Sequence, residues 1–134
     1  MNPALAEVST YHDREAFGYF AVRCDGKQDL HPLSQLPHVL TDVALEHEIF
    51  VSQSEFRSPR NRRCTNVLRL PTSFVDCDLY HSDYAGLPPD AAAYAILQHC
   101  DDQGIRRPNL LNFSGQGIHA KWPFMEPLPA AAVA

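Results

Sequence analysis

Ser73-Phe74-Val75-Asp76-Cys77-Asp78-Leu79-Tyr80 is the stretch that decides the fold class. It alternates with the period of a β-strand. Phe74, Asp76, Asp78 and Tyr80 face one way; Val75, Cys77 and Leu79 face the other. A strand with one apolar face needs a cover, and the sequence supplies one downstream. Pro88-Pro89-Asp90 opens a helix, Gly104 ends it, and Ala92, Ala93, Ile96, Leu97 and Cys100 make its apolar stripe. Residues 109–113 then read as a strand, Ser114-Gly115-Gln116-Gly117 as a tight turn, and 118–124 as the strand leaving it.

Upstream, residues 18–23 read as a strand and Asp25-Gly26 as the turn after it. Ser34 as a cap, an early Pro37, and the stripe Leu36, Val39, Leu40, Val43 and Ala44 place a helix at about 34–45. Residues 48–53 read as a strand with Ile49 and Val51 on one face. The segment 57–63 has no apolar period and reads as a loop, while 67–70 reads equally as extended or helical. The order is strand–helix–strand, loop, strand–helix–strand–turn–strand. It predicts an α/β (α+β) fold with helices against a sheet. An N-terminal strand–helix–strand unit precedes an RRM-like (ferredoxin-like) core. Residues 1–15 read as a polar tail and 16–134 as one domain. Pro129 with the alanines after it reads as the first turn of a helix, so the domain is expected to continue beyond Ala134.

With 134 residues, 45% of them hydrophobic and 20% charged, the chain has ordinary globular composition, which excludes wholesale disorder, coiled coil and collagen-like repeats. The net charge of −5 argues against a general electrostatic coat for nucleic acid or an anionic membrane. The average hides a local reversal. Residues 1–55 carry nine acids and three bases, whereas 56–70 carry five arginines and no acid. The cysteines, Cys24, Cys64, Cys77 and Cys100, form no CxxC pair and read as small buried hydrophobes with reduced thiols; Cys77-x3-His81 is too thin for a site. No apolar run approaches a membrane span and no signal peptide opens the chain, so the expectation is a cytoplasmic protein without a membrane partner.

Three constellations carry chemistry. Asp76 and Asp78, at i and i+2 on a strand, lie about 7 Å apart on one face. Two carboxylates so close repel unless a cation joins them, and hard oxygens select Mg2+ or Mn2+. An isolated D-x-D is more often a solvated strand face, but the apolar flanks here mark a core strand. Second, the small residues of Ser114–Gly117 allow a turn whose N–H groups bind an anion, with His119 beside it to donate to a phosphate or move a proton. Alone, a hairpin turn with an incidental histidine is the commoner reading. Third, Arg57, Arg60, Arg62 and Arg63 lie within seven residues without an acid. They read equally as a phosphate or nucleic-acid contact and as a solvated, disordered basic loop.

Taken jointly, these motifs resemble the archaeo-eukaryotic primase (primase–polymerase) superfamily, and more narrowly the primase domains of plasmid, phage and mobile-element replication proteins. Residues 74–80 match its D-hydrophobic-D strand; Asn112–His119, with Trp122 following, match its Ser/Gly turn with histidine. The likeness spans about 47–129. It implies an RRM-like catalytic core that makes primers from nucleoside triphosphates on a single-stranded DNA template, with a helicase or another replication protein as a further partner. Asp76 and Asp78 are then metal ligands and catalytic. Ser114 and His119 contact the nucleotide's phosphates, with Gly115 and Gly117 allowing the turn. The superfamily's third motif, a hydrophobic-Asp strand, has no counterpart, since Glu126 is the sole acid after Trp122. This implies an incomplete core of little activity. Competing readings are a non-catalytic single-strand-binding module, with Tyr80, Phe113 and Trp122 as stacking platforms, and a metal-dependent nuclease. A relaxase-like enzyme ranks last, because Lys121 stands where a second histidine is wanted.

Overall fold

The computed structural model describes residues 3–42, 49–79, 81–83, 85–113, 115 and 117–133. The fold is mixed α+β, with an antiparallel sheet of seven strands in the order β2-β1-β4-β5-β7-β6, β3 also pairing with β1. The elements are α1 (Pro3–Val8), β1 (Tyr19–Cys24), β2 (Lys27–Pro32), α2 (Leu36–Asp42), β3 (Ile49–Val51), β4 (Glu55–Phe56), β5 (Val67–Asp78), α3 (Pro89–Gln103), β6 (Leu110–Phe113), β7 (Gly117–Pro129) and α4 (Ala130–Val133). They fall into two compact units, 1–72 with 123–134, and 73–122.

In the first unit β1 and β2 form a hairpin, Tyr19 opposite Pro32 and Cys24 opposite Lys27. Asp25 (φ 51°) and Gly26 (φ 80°) turn it, the two positive angles of a type I′ turn. Phe20, Ala21 and Val22 of β1 are buried with Leu33, Leu36 and Leu40. Ser34 sits inside a 3-10 turn over Leu33–Gln35 whose flanking cap is Pro32, without a side-chain hydrogen bond. The expected helix at 34–45 is thus α2, beginning at Leu36; 43–48 lie outside the described residues.

The segment read as a polar tail is folded instead. Residues 3–8 form α1, and Val8, Tyr11 and His12 are buried. Burial pushes the Tyr11 hydroxyl pKa upward, Glu7 adding to it. His12 is the anchor. Its Nε2 donates to the Ser52 carbonyl at 2.7 Å, and its Nδ1 lies 2.6 Å from Glu55 Oε2. Glu55 also accepts from Arg69 Nε, and Arg69 donates to the Phe17 carbonyl. This buried arrangement explains why a two-residue strand, β4, can carry a carboxylate in the core: an unpaired buried charge is costly, and this one has two partners.

The second unit is a split β-α-β. The C-terminal half of β5 leads through α3 to β6, and β7 lies between them. Pro88 precedes α3 and Gly104 closes it in the left-handed region at φ 68°, as the sequence expects. Ala92 and Cys100 are its buried residues. The ambiguous stretch 67–70 is extended: it begins β5, which passes through Pro71. The mixed α+β class read from the sequence is therefore the one observed, with the order strand–helix–strand followed by a hairpin strand.

Candidate functional site

The site is built on the face of unit 73–122 turned away from α3. Val75, Cys77, Ile96, His99, Cys100 and Trp122 line a cleft of about 520 Å³ under the helix. The opposite face of β5 carries Phe74, 51% exposed, and Asp76. On β7, Ile118 and Ala120 are buried, and His119 and Lys121 alternate to the other side. Strand alternation therefore delivers Asp76 and His119 to the same face. There His119 Nε2 lies 3.5 Å from Asp76 Oδ1, with the carboxylate 62% and the imidazole 32% exposed. The pair is close enough for electrostatic attraction and open enough to admit a ligand oxygen.

Gly117 brings the strands this close. A Cβ built on it would stand 2.3 Å from the Cys77 carbonyl oxygen, a separation side chains do not tolerate. The sequence assigns both glycines to the turn, but they do different work. Gly115 has φ 98° with open space beside it, so it serves the turn; Gly117 serves the approach of β7 to β5.

Asp78 ends β5 and also borders the cleft under α3. Its carboxylate lies 4.0 Å from His81 Nε2, a weak exposed pair. Ser114 and Tyr80 lie outside the described residues. Asp76, Asp78 and His119 come from one unit; Arg57, Arg60, Arg62 and Arg63 belong to the other. Of the proposed stacking residues, Phe113 is half-exposed but borders a hollow with Pro89 and Ala93, and Trp122 donates its Nε1 hydrogen to the Arg106 carbonyl at 2.8 Å. Neither stands on the Asp76 face, whereas Phe74 does.

Two residues of this face escape the sequence reading. Asn112 is the cross-strand partner of His119, and Lys121, two residues on, is 4% exposed. Period-two spacing from His119 signals Lys121; the register that sets Asn112 opposite His119 is not readable before the hairpin is known. Cys77 lies between the two aspartates. Burial, then the charges of Asp76 and Cys100, raise its thiol pKa. The expectation of buried cysteines fails at Cys64, which is exposed.

Asp76 and Asp78 offer hard oxygens two residues apart on one strand, Asp76 beside His119 and Asp78 at the border of the cleft under α3. Among the described residues, no group of three or more His, Cys, Asp and Glu side chains converges as a metal-binding set. Two carboxylates without a third ligand do not make a closed cage. They do suit Mg2+, which is commonly held by one or two carboxylates together with substrate phosphates. No helix among the described residues is long and apolar enough to cross a membrane. The chain matches no family model, no curated protein and no solved structure.

Proposed function

We propose that this chain carries the catalytic face of a metal-dependent nucleotidyl transferase, of the primase–polymerase type, that builds primers from nucleoside triphosphates on single-stranded DNA. The observation that supports it is the 3.5 Å approach of His119 to Asp76 from separate strands, joined at a glycine with no room for a side chain. Neither motif alone argues much; their meeting on one exposed face is what such chemistry needs.

Asp76 and Asp78 are the residues that would hold Mg2+ or Mn2+ in company with the triphosphate. The metal, when bound, screens the charge of the phosphates and lowers the pKa of the attacking hydroxyl. His119 would donate a ring N–H to a phosphate oxygen. With two carboxylates and no third motif, the 134-residue chain binds the metal–nucleotide pair weakly and polymerises little.

The test is titration of the chain with a fluorescent nucleoside triphosphate, with and without Mn2+. Asp76→Asn and Asp78→Asn are expected to remove the metal-dependent part of the affinity, and His119→Ala to weaken binding at every metal concentration. Equal metal-dependent binding by the wild type and both Asp variants would refute the assignment.

A further inference from the structure

The arginine-rich loop between β4 and β5 has a shape of its own. Asn66, in a 3-10 turn over Cys64–Asn66, is its keystone. The Asn66 side-chain amide donates to the carbonyls of Ser58, at 2.9 Å, and Asn61, at 2.6 Å, while its oxygen accepts from Ser58 Oγ at 2.9 Å. Its main chain accepts from Arg57 N–H and donates to Arg63 O, both at 2.8 Å. Asn61 Oδ1 accepts from Arg63 N–H at 3.0 Å. One side chain thus uses both of its N–H donors and its carbonyl oxygen to tie residues 58 and 61 together.

The arginines themselves take no part through their side chains. Arg57, Arg60, Arg62 and Arg63 are all exposed. None of their guanidinium groups has a hydrogen bond or ion pair among the described residues. No acid occurs between residues 56 and 75 to neutralise them. The loop is therefore ordered by neutral hydrogen bonds, most of them from Asn66, and presents four like charges that repel one another. Such a surface is preorganised for an extended anion, because a binder meets neither an internal ion pair to break nor a loop to order. Arginine's planar fork suits phosphate in particular. Arg63 is extended (φ −67°, ψ 152°) as the chain enters the 3-10 turn.

We propose that this loop is a preformed site for the phosphate backbone of a single-stranded nucleic acid, contacted by Arg57, Arg60, Arg62 and Arg63 and held in shape by Asn66. Choosing a nucleic acid over an acidic peptide rests on the nucleotidyl-transfer reading; the anion site itself does not.

The experiment is fluorescence anisotropy of a labelled single-stranded oligonucleotide with the whole chain, in EDTA and without nucleotide, across a salt series. Replacing the four arginines by Gln is expected to weaken binding at least tenfold. It is also expected to lower the slope of log K against log salt by about 3, since each single-strand phosphate contact contributes about 0.7. The Arg→Lys set keeps the slope and loses affinity. A second readout uses the unaltered chain: exposed Cys64, next to Arg63, is alkylated more slowly when the strand is bound. An unchanged slope in the Gln set, or an unprotected Cys64, overturns the proposal. Competition by free triphosphate or by polyglutamate as effective as that of the oligonucleotide overturns the choice of partner. Asp76→Asn is expected to leave this binding intact. Failure of the loop and failure of the catalytic site therefore read out separately.

Discussion

Gly117→Ala adds one methyl group where β7 meets β5. The new carbon would stand 2.3 Å from the Cys77 carbonyl oxygen. Relief requires a separation of roughly 1 Å, and the obstacle is backbone, so no rotamer change absorbs it. Overpacking costs typically about 1–3 kcal/mol, and a backbone clash belongs at the upper end. For a chain of this size, about 3 kcal/mol lowers Tm by about 10 °C. The same displacement opens the gap between Asp76 and His119, which lies two residues along β7. A misplacement of about 1 Å in a catalytic constellation can cost about a hundredfold in rate. Thermal melts followed by circular dichroism measure the first effect; metal-dependent nucleotide binding measures the second. Gly115→Ala is the control: it meets no atom within 4 Å, but its φ of 98° strains any side chain. It should cost about 1–2 kcal/mol of conformational energy without separating the strands. A Gly117→Ala chain that melts within a degree of the wild type would refute the claim that this contact sets the strand separation.

Two further outcomes follow from buried groups. Glu55→Ala leaves His12 and Arg69 without their carboxylate and should cost about 3–5 kcal/mol in denaturant unfolding. Glu15→Ala, which removes an exposed 3.7 Å pair with Arg14, should cost less than about 1 kcal/mol; equal losses would discredit the role given to the buried network. Cys77 should resist alkylation at pH 8 while Cys64 reacts, because burial and Asp76 raise its pKa. The sign for stability follows: the neutral thiol is favoured in the fold, so its contribution is full below the ordinary cysteine pKa and lost as pH rises through the raised one. Modification of Cys77 before Cys64 would contradict this.

The second unit was legible because its signals are local and agree: strand alternation around Asp76, prolines before α3, Gly104 after it, small residues before His119. Other elements depend on partners distant in sequence. Lys27–Pro32 has no apolar alternation, and it becomes a strand because the Asp25-Gly26 turn lays it against the buried β1. The N-terminal segment looks polar because the residues that dock it include Tyr11 and His12, and the partners of His12, Glu55 and Ser52, lie some forty residues away. β7 runs through Pro123, as the reading of 118–124 as a strand expects, and β5 runs through Pro71, joining two segments the sequence reads separately. Proline's φ suits extended chain and costs only an N–H. At the site, composition gave the residue types and alternation gave the faces. The close approach of β7 to β5 at Gly117, which brings His119 to Asp76, needs three dimensions.

The order of the two units along the chain has a consequence for synthesis. Residues 73–122 are contiguous, whereas the other unit needs both 1–72 and 123–134. A ribosome adding about 5–20 residues per second releases every residue of the first before the other has all of its parts. The nascent chain therefore holds an open N-terminal sheet while the unit with Asp76 and His119 is already able to close. Contacts near in sequence also form fastest. The inserted unit is thus the first to have all of its residues, and the basic loop's unit waits for its returning strand.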